Sequence, residues 1–370
     1  MTCYAAKNRL RPLSHLPRPL EAIRQFTPNW FAVTMGTGVL ALALAQWPAQ
    51  MPGLRALGEG LWLFNTLLFV VFALMYTARW VLFFDEARRI VGHSTVSMFF
   101  GTIPMGLAPI INGFLVLGLP RWGEGVAMSL ACGVLIPFLM FTRQEHRIDQ
   151  MTAVWLLPVV AAEVAAASGG LLAPHLADVH GQLVMLVTSY VLWAFSLPVA
   201  FSILTILLLR MALHKLPHEN MAASSWLALG PIGTGALGML LLGNDAPLIF
   251  AANGLPGVGD IAAGLGLVAG ITLWGLGLWW MLMALLITAR YLREGIPFNL
   301  GGWGFTFPLG VYALTTLKLS ELLGLGFFGV FGAVLVAMLV VMWLIVGRRT
   351  VLGAWHGELF VSPCIAGLAK

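Results

Sequence analysis

Charge is what this sequence has least of: only 9% of its residues are Asp, Glu, Lys or Arg, against roughly a quarter in a soluble globular domain. A chain of 370 residues that is 59% hydrophobic cannot dress a soluble surface with so few charges, so an ordinary cytosolic enzyme is excluded and a polytopic membrane protein is indicated. Cysteine is scarce as well. Cys3, Cys132 and Cys364 stand at the two ends and inside an apolar run, without a CxxC, which supports neither a disulfide framework nor a thiolate metal site. Histidine is missing where a membrane cytochrome needs it: His15, His93, His146, His175, His180, His214, His218 and His356 all fall outside the apolar runs, leaving no axial ligands between spans. His175, Asp178 and His180 share one loop, yet a metal wants three or four ligands and a solvated turn is the plainer reading. No metal or cofactor is expected. The net charge of +5 bears on topology and not on nucleic acid, because short basic loops stay inside.

What the sequence does have is long apolar runs. Ten spans are expected, at 28–47, 61–84, 98–119, 124–142, 153–173, 181–209, 225–243, 258–290, 299–318 and 324–346, each near the roughly 20 residues that cross a bilayer. Residues 1–27 then form a cytoplasmic tail, 28–346 a ten-helix transmembrane domain and 347–370 a second cytoplasmic tail. The first 26 residues are basic without an apolar core, unlike a signal peptide. With this topology every Lys and Arg lies on one side except Arg55, Arg121 and Lys318, which places both termini in the cytoplasm of a cell inner (plasma) membrane.

The odd spans share a pattern. An aromatic residue is followed five positions later by Gly or Pro and two positions later by Gly: Phe31/Gly36/Gly38, Phe99/Pro104/Gly106, Trp226/Pro231/Gly233 and Trp303/Pro308/Gly310, with a partial match at Trp155 and Pro158. Such recurrence reads as five degenerate helical hairpins. The fold expected is all-α, with the five odd helices running parallel and kinked in an inner ring around a central pore and the even helices outside, toward lipid. Gly and Pro are also common in membrane helices for packing alone.

Few side chains in the spans carry chemistry. Glu163 and Asp260 lie in or at the edge of the outer half; Glu163 is either a proton carrier or a packing partner. Lys318 lies about three turns beyond Phe307, where it either draws anions to the outer mouth or pairs with Glu321 or Glu163. Trp30, Trp155, Trp226 and Trp303 read as interfacial anchors. Phe305 and Phe307, beside Pro308, either plug a narrow passage as a dewetted constriction or pack in the core. Thr34, Thr37, Thr102, Thr234 and Thr306 offer hydroxyl donors to an anion that has shed water.

Two stretches carry a family likeness. FTPNWFAVTMGTG, from Phe26 to Gly38, and WGFTFPLGVYALTTLK, from Trp303 to Lys318, resemble the first and ninth helices of the tellurite-resistance/dicarboxylate transporter family. That family includes bacterial tellurite-resistance proteins, fungal malate permeases and sulfite exporters, and the plant guard-cell slow anion channel. The resemblance implies a quasi-five-fold ring, a homotrimer with one anion path per protomer, and Phe307 as the pore-blocking phenylalanine. Phe305 occupies a place that some relatives fill with tyrosine. The function implied is transport of a small anion: malate or another C4-dicarboxylate, or sulfite or tellurite. A passive chloride or nitrate channel is the alternative. A membrane enzyme acting on lipid or quinone is the rival from another class, and it would need a polar cluster at one membrane face that the sequence lacks.

Overall fold

The computed structural model describes residues 12–47, 51, 53–117 and 147–360; the expected fourth span, 124–142, lies outside them. The long helices are α1 (Phe31–Ala45), α2 (Leu54–Leu82), α3 (Thr102–Val116), α4 (Leu157–Leu172), α5 (Val179–His214), α6 (Leu229–Ala252), α7 (Pro256–Glu294), α8 (Phe307–Leu323) and α9 (Gly326–His356). Among the described residues there is no strand. Eight helical segments among the described residues are long and apolar enough to cross a membrane. Helix α8, at 17 residues, is completed by the tight turn Leu300–Phe305 that precedes it.

Helices α1, α3, α4, α6 and α8 form a closed ring, each packed on the next and α8 packed back on α1. The short turns that lead into them, Pro28–Trp30, Ser97–Gly101, Ala153–Leu156, Ser224–Leu227 and Leu300–Phe305, touch one another in the same order. The five inner helices therefore start from one face, the entry face, and run parallel. Helices α2, α5, α7 and α9 lie outside, each against its own inner partner. Burial separates the two sets: 50% to 89% of residues are buried in the four inner segments that qualify as spans, and 22% to 33% in the outer ones. Outer exposure follows helical spacing, as in Leu63, Leu67, Val70 and Leu74 of α2 and Val330, Val334, Val341 and Ile345 of α9, the stripe expected of a lipid-facing helix.

Three sequence expectations need correction. The prolines of the repeated motif do not sit midway along the inner helices; Pro109 and Pro247, outside the motif, lie inside α3 and α6. Pro158 and Pro308 sit at the first positions of α4 and α8, where a backbone N–H has no intrahelical acceptor and its loss costs nothing; Pro104 and Pro231 fall in the first turns of α3 and α6. The outer helices also outrun their expected ends. α5, α7 and α9 have 36, 39 and 31 residues, or about 45 to 60 Å at 1.5 Å per residue, against a hydrocarbon core of roughly 30 Å. Arg210, Arg290 and Arg348 looked like loop residues in the sequence; Arg290 and Arg348 stay solvated on helices that continue into water, whereas Arg210 is buried on backbone carbonyls.

Three of the four tryptophans read as interfacial anchors face the protein interior instead of lipid, while Trp155 is half-buried. Trp30, Trp226 and Trp303 are buried, and two of them pin entry turns to outer helices: Trp226 Nε1 donates to Thr288 Oγ1 of α7 and Trp303 Nε1 to Thr350 Oγ1 of α9, both at 2.9 Å.

Ahead of α1, the segment Glu21–Arg24 is tied to the turn after α2, where Arg24 Nε and Nη2 donate to the Glu86 carboxylate at 2.8 to 3.0 Å. These bonds hold the Glu86 carboxyl below the usual carboxylate range. The pair therefore stabilises the folded chain at neutral pH, and that contribution is lost as pH falls below roughly 4 and through the lowered value. Glu86→Gln is expected to cost about 1 kcal/mol at pH 7. In thermal melts of the detergent-purified protein the gap from the parent should narrow as the pH is taken below about 4; a gap unchanged by pH would show that the charge contributes nothing.

Candidate functional site

The passage from turn to helix at α8 sets the geometry of the region singled out in the sequence. Leu300–Phe305 is wound tightly, Thr306 joins it to the α-helix, and Phe307 and Pro308 are the first residues of α8. Phe305 meets the Trp226 ring edge-on at 6.0 Å between centroids. Phe307 is 5% exposed and belongs to a buried apolar cluster to which every inner helix contributes, among them Met35 and Val39 of α1, Met105 of α3, Val160 of α4 and Ile232 of α6.

The threonines divide by what their hydroxyls do. Thr34 donates to Phe31 O at 2.8 Å and Thr306 to Trp303 O at 2.8 Å, and the Thr102 hydroxyl lies 2.6 and 2.7 Å from Phe99 O and Pro28 O, sharing its one proton between them. Each thus caps the carbonyl of the aromatic three residues earlier, at the same place in repeats one, two and five. A hydroxyl has a single proton, so these three have none left for an anion, contrary to the donor role read from the sequence. Two of them also seat the ring. A Cβ on Gly36 would stand 2.1 Å from Thr306 Oγ1, and one on Gly106 2.4 Å from Thr34 Oγ1; glycine is what lets one repeat's threonine enter the next repeat's helix. Thr37 accepts from Trp343 Nε1 of α9 at 3.1 Å. Thr234 differs: it is buried, and its Oγ1 has no partner among the described residues.

Glu163 lies near the middle of α4, not in the outer half, and is fully buried. The Ser196 hydroxyl of α5 lies 3.3 Å from its Oε2 and 2.9 Å from Val159 O, and a Cβ on Gly235 of α6 would stand 2.5 Å from its Oε1. The carboxyl thus occupies the seam between two inner helices and an outer one. Lys318, near the far end of α8, has Nζ 2.7 Å from Glu321 Oε1. Asp245 is within electrostatic reach of Lys318, Glu321 and His175. The sequence reading ended the seventh span at 243 and so missed Asn244 and Asp245, although the apolar run resuming after them was the available signal. Asp178 accepts from the Gly181 N–H at 2.6 Å as the cap of α5, and among the described residues no three metal-ligating side chains gather.

Comparison with known proteins matches this architecture. The profile of a family described as a voltage-dependent anion channel (SLAC1) covers residues 25–351. The sulfite efflux pump SSU1 of Arthroderma benhamiae is 36% identical over 353 residues, 92% of this chain and 93% of that protein. An uncharacterized transporter of Methanocaldococcus jannaschii is 29% identical over 92% of this chain and 97% of its own. The malic acid transport protein of Schizosaccharomyces pombe is 23% identical, with 90% and 78% covered.

Proposed function

The chain belongs to the voltage-dependent anion channel family, and from that premise we propose that it carries small oxyanions of the sulfite type along the axis of the five-helix ring, with Phe307 as the gate. The observation that carries this reading is the closed ring of parallel inner helices whose shared apolar cluster contains Phe307. An apolar constriction of this kind excludes water and ions until an obstructing ring moves aside. Thr234, a buried hydroxyl with no partner among the described residues, is a donor for a partly dehydrated anion, and Lys318 supplies positive charge toward the exit, tempered by Glu321. Phe305, packed on Trp226, holds the turn before the gate, and Thr34, Thr37, Thr102, Thr306 and Pro308 shape the path by seating its walls. The entry face is cytoplasmic, the membrane is the cell's plasma membrane, and three protomers assemble with one path each.

A sulfite-type cargo leads because the sulfite efflux pump relative is more similar over more of its length than the malate transporter. The latter keeps a C4-dicarboxylate as the second reading. Reconstituted vesicles given sulfite, malate, chloride and nitrate, each with and without a proton gradient, test both. Sulfite flux well above that of empty vesicles is expected, malate moving in preference would select the second reading, and no flux of any anion would refute transport.

Glu163 is a packing group in this proposal, because its carboxyl lies in the seam of α4, α5 and α6, beside Ser196 and Gly235. Glu163→Gln keeps its size and one acceptor, so flux and its response to a proton gradient are expected to persist within about twofold. Loss of gradient-driven uptake with the variant still inserted would make Glu163 a proton carrier instead.

A further inference from the structure

Outer helices grip the entry segments through a recurring contact. Arg210, in the last turns of α5, donates from Nε and Nη2 to Asp149 O at 3.2 and 2.5 Å and from Nη1 to Lys215 O at 2.6 Å. Tyr291 of α7 donates to Pro217 O. Arg79, in the last turn of α2, does the same for the first hairpin, with Nη1 donating to Phe26 O at 2.6 Å.

There the likeness ends. Arg79 is 0% exposed, and its Nε and Nη2, the two donors that Arg210 fills with a carbonyl, have no partner among the described residues. Those two N–H groups share one edge of the guanidinium, the edge that grips planar or tetrahedral oxyanions through two parallel bonds. Glu86 acts on Arg79 electrostatically, but both its oxygens are engaged by Arg24. A permanently charged group is thus buried with its bidentate edge empty, which is costly unless an anion completes it. The segment that Arg79 clamps carries another buried donor without a partner among the described residues, Trp30 Nε1.

We propose that the Nε/Nη2 edge of Arg79 is an oxyanion-binding site on the entry face, between the first inner helix and α2 and separate from the axial path. Its occupant carries a carboxylate, sulfate-like or phosphate group, and locks the segment ahead of α1 to the foot of α2. The site does not depend on the transport reading, because binding and not flux reports it.

The test uses the full chain in phosphatidylcholine nanodiscs, melted with inorganic sulfate or with chloride at equal ionic strength. At saturation, sulfate is expected to raise the melting temperature by about 3 °C more than chloride. Arg79→Lys, which keeps the charge and loses the fork, should abolish that difference, while Phe307→Ala should keep it. A parallel arm replaces sulfate with phosphatidylglycerol in the disc; an Arg79-dependent rise there and none with sulfate identifies a lipid phosphodiester as the source. If Arg79→Lys does not insert, Arg24→Gln serves, since it frees Glu86 to fill the Arg79 edge and should also remove the sulfate response. The proposal is overturned if the parent shows no rise in either arm, as when water fills the edge, or if Arg79→Lys or Arg24→Gln responds like the parent.

Discussion

Replacing Phe307 with alanine is expected to raise anion flux through reconstituted vesicles by about tenfold or more, which corresponds to lowering the barrier by about 1.4 kcal/mol. The residue stands at the start of α8, buried in a cluster shared by all five inner helices, so removing its ring deletes apolar volume where those helices converge. Truncating a buried phenylalanine also destabilises, typically by 3 to 5 kcal/mol in a soluble core, so Phe307→Leu is the companion. It retains most of the packing and should give an intermediate flux. If Phe307→Ala inserts normally and conducts like the parent, Phe307 is a core residue and the gate lies elsewhere.

The second large effect concerns the seating of one repeat in the next. Gly106→Ala places a methyl group 2.4 Å from Thr34 Oγ1, 3.2 Å from Phe31 O and 3.6 Å from Phe69. Overpacking of that kind costs about 2 kcal/mol, so the variant should melt several degrees lower. Thr34→Ala removes the closest of the three contacts and leaves two that are nearly ordinary. The double variant Thr34→Ala/Gly106→Ala should therefore be more stable than Gly106→Ala alone, although Thr34→Ala by itself loses the hydrogen bond to Phe31 O. A coupling energy of about 1 kcal/mol or more is expected from the cycle; strict additivity would mean that the threonine and the glycine do not touch in the working protein.

How much of this was readable in the sequence depends on whether the signal is local. The triplet of aromatic, Pro or Gly, and Gly marks a junction whose residues are neighbours in the chain, so the hairpin repeat and the division into inner and outer helices could be read directly. The ends of α5, α7 and α9 could not, because arginine marks both a loop and a helix leaving the membrane. Tryptophan misled for a similar reason: Trp226 and Trp303 stand at interfacial depth in the sequence, yet their indoles turn inward to threonines 62 and 47 residues away. The threonines were recognised as unusual and given the wrong task, since whether a hydroxyl is free depends on a carbonyl whose availability is set by the tight turn and not by composition. Asp245 was lost through a span boundary, and Arg79 through being counted only as a loop charge.

The ring of entry turns bears on energetics far from any side chain. Helices that start from one face add their backbone dipoles, each equivalent to about half a positive charge at its beginning, and five are gathered here. A negative ion approaching that face meets a favourable potential supplied by peptide groups, and one travelling away climbs steadily against it. The outer helices run the other way and end at the same face, so their dipoles offset this at a distance; the bias is local to the ring's axis, where the inner helices are nearest, and no change of external pH would titrate it away.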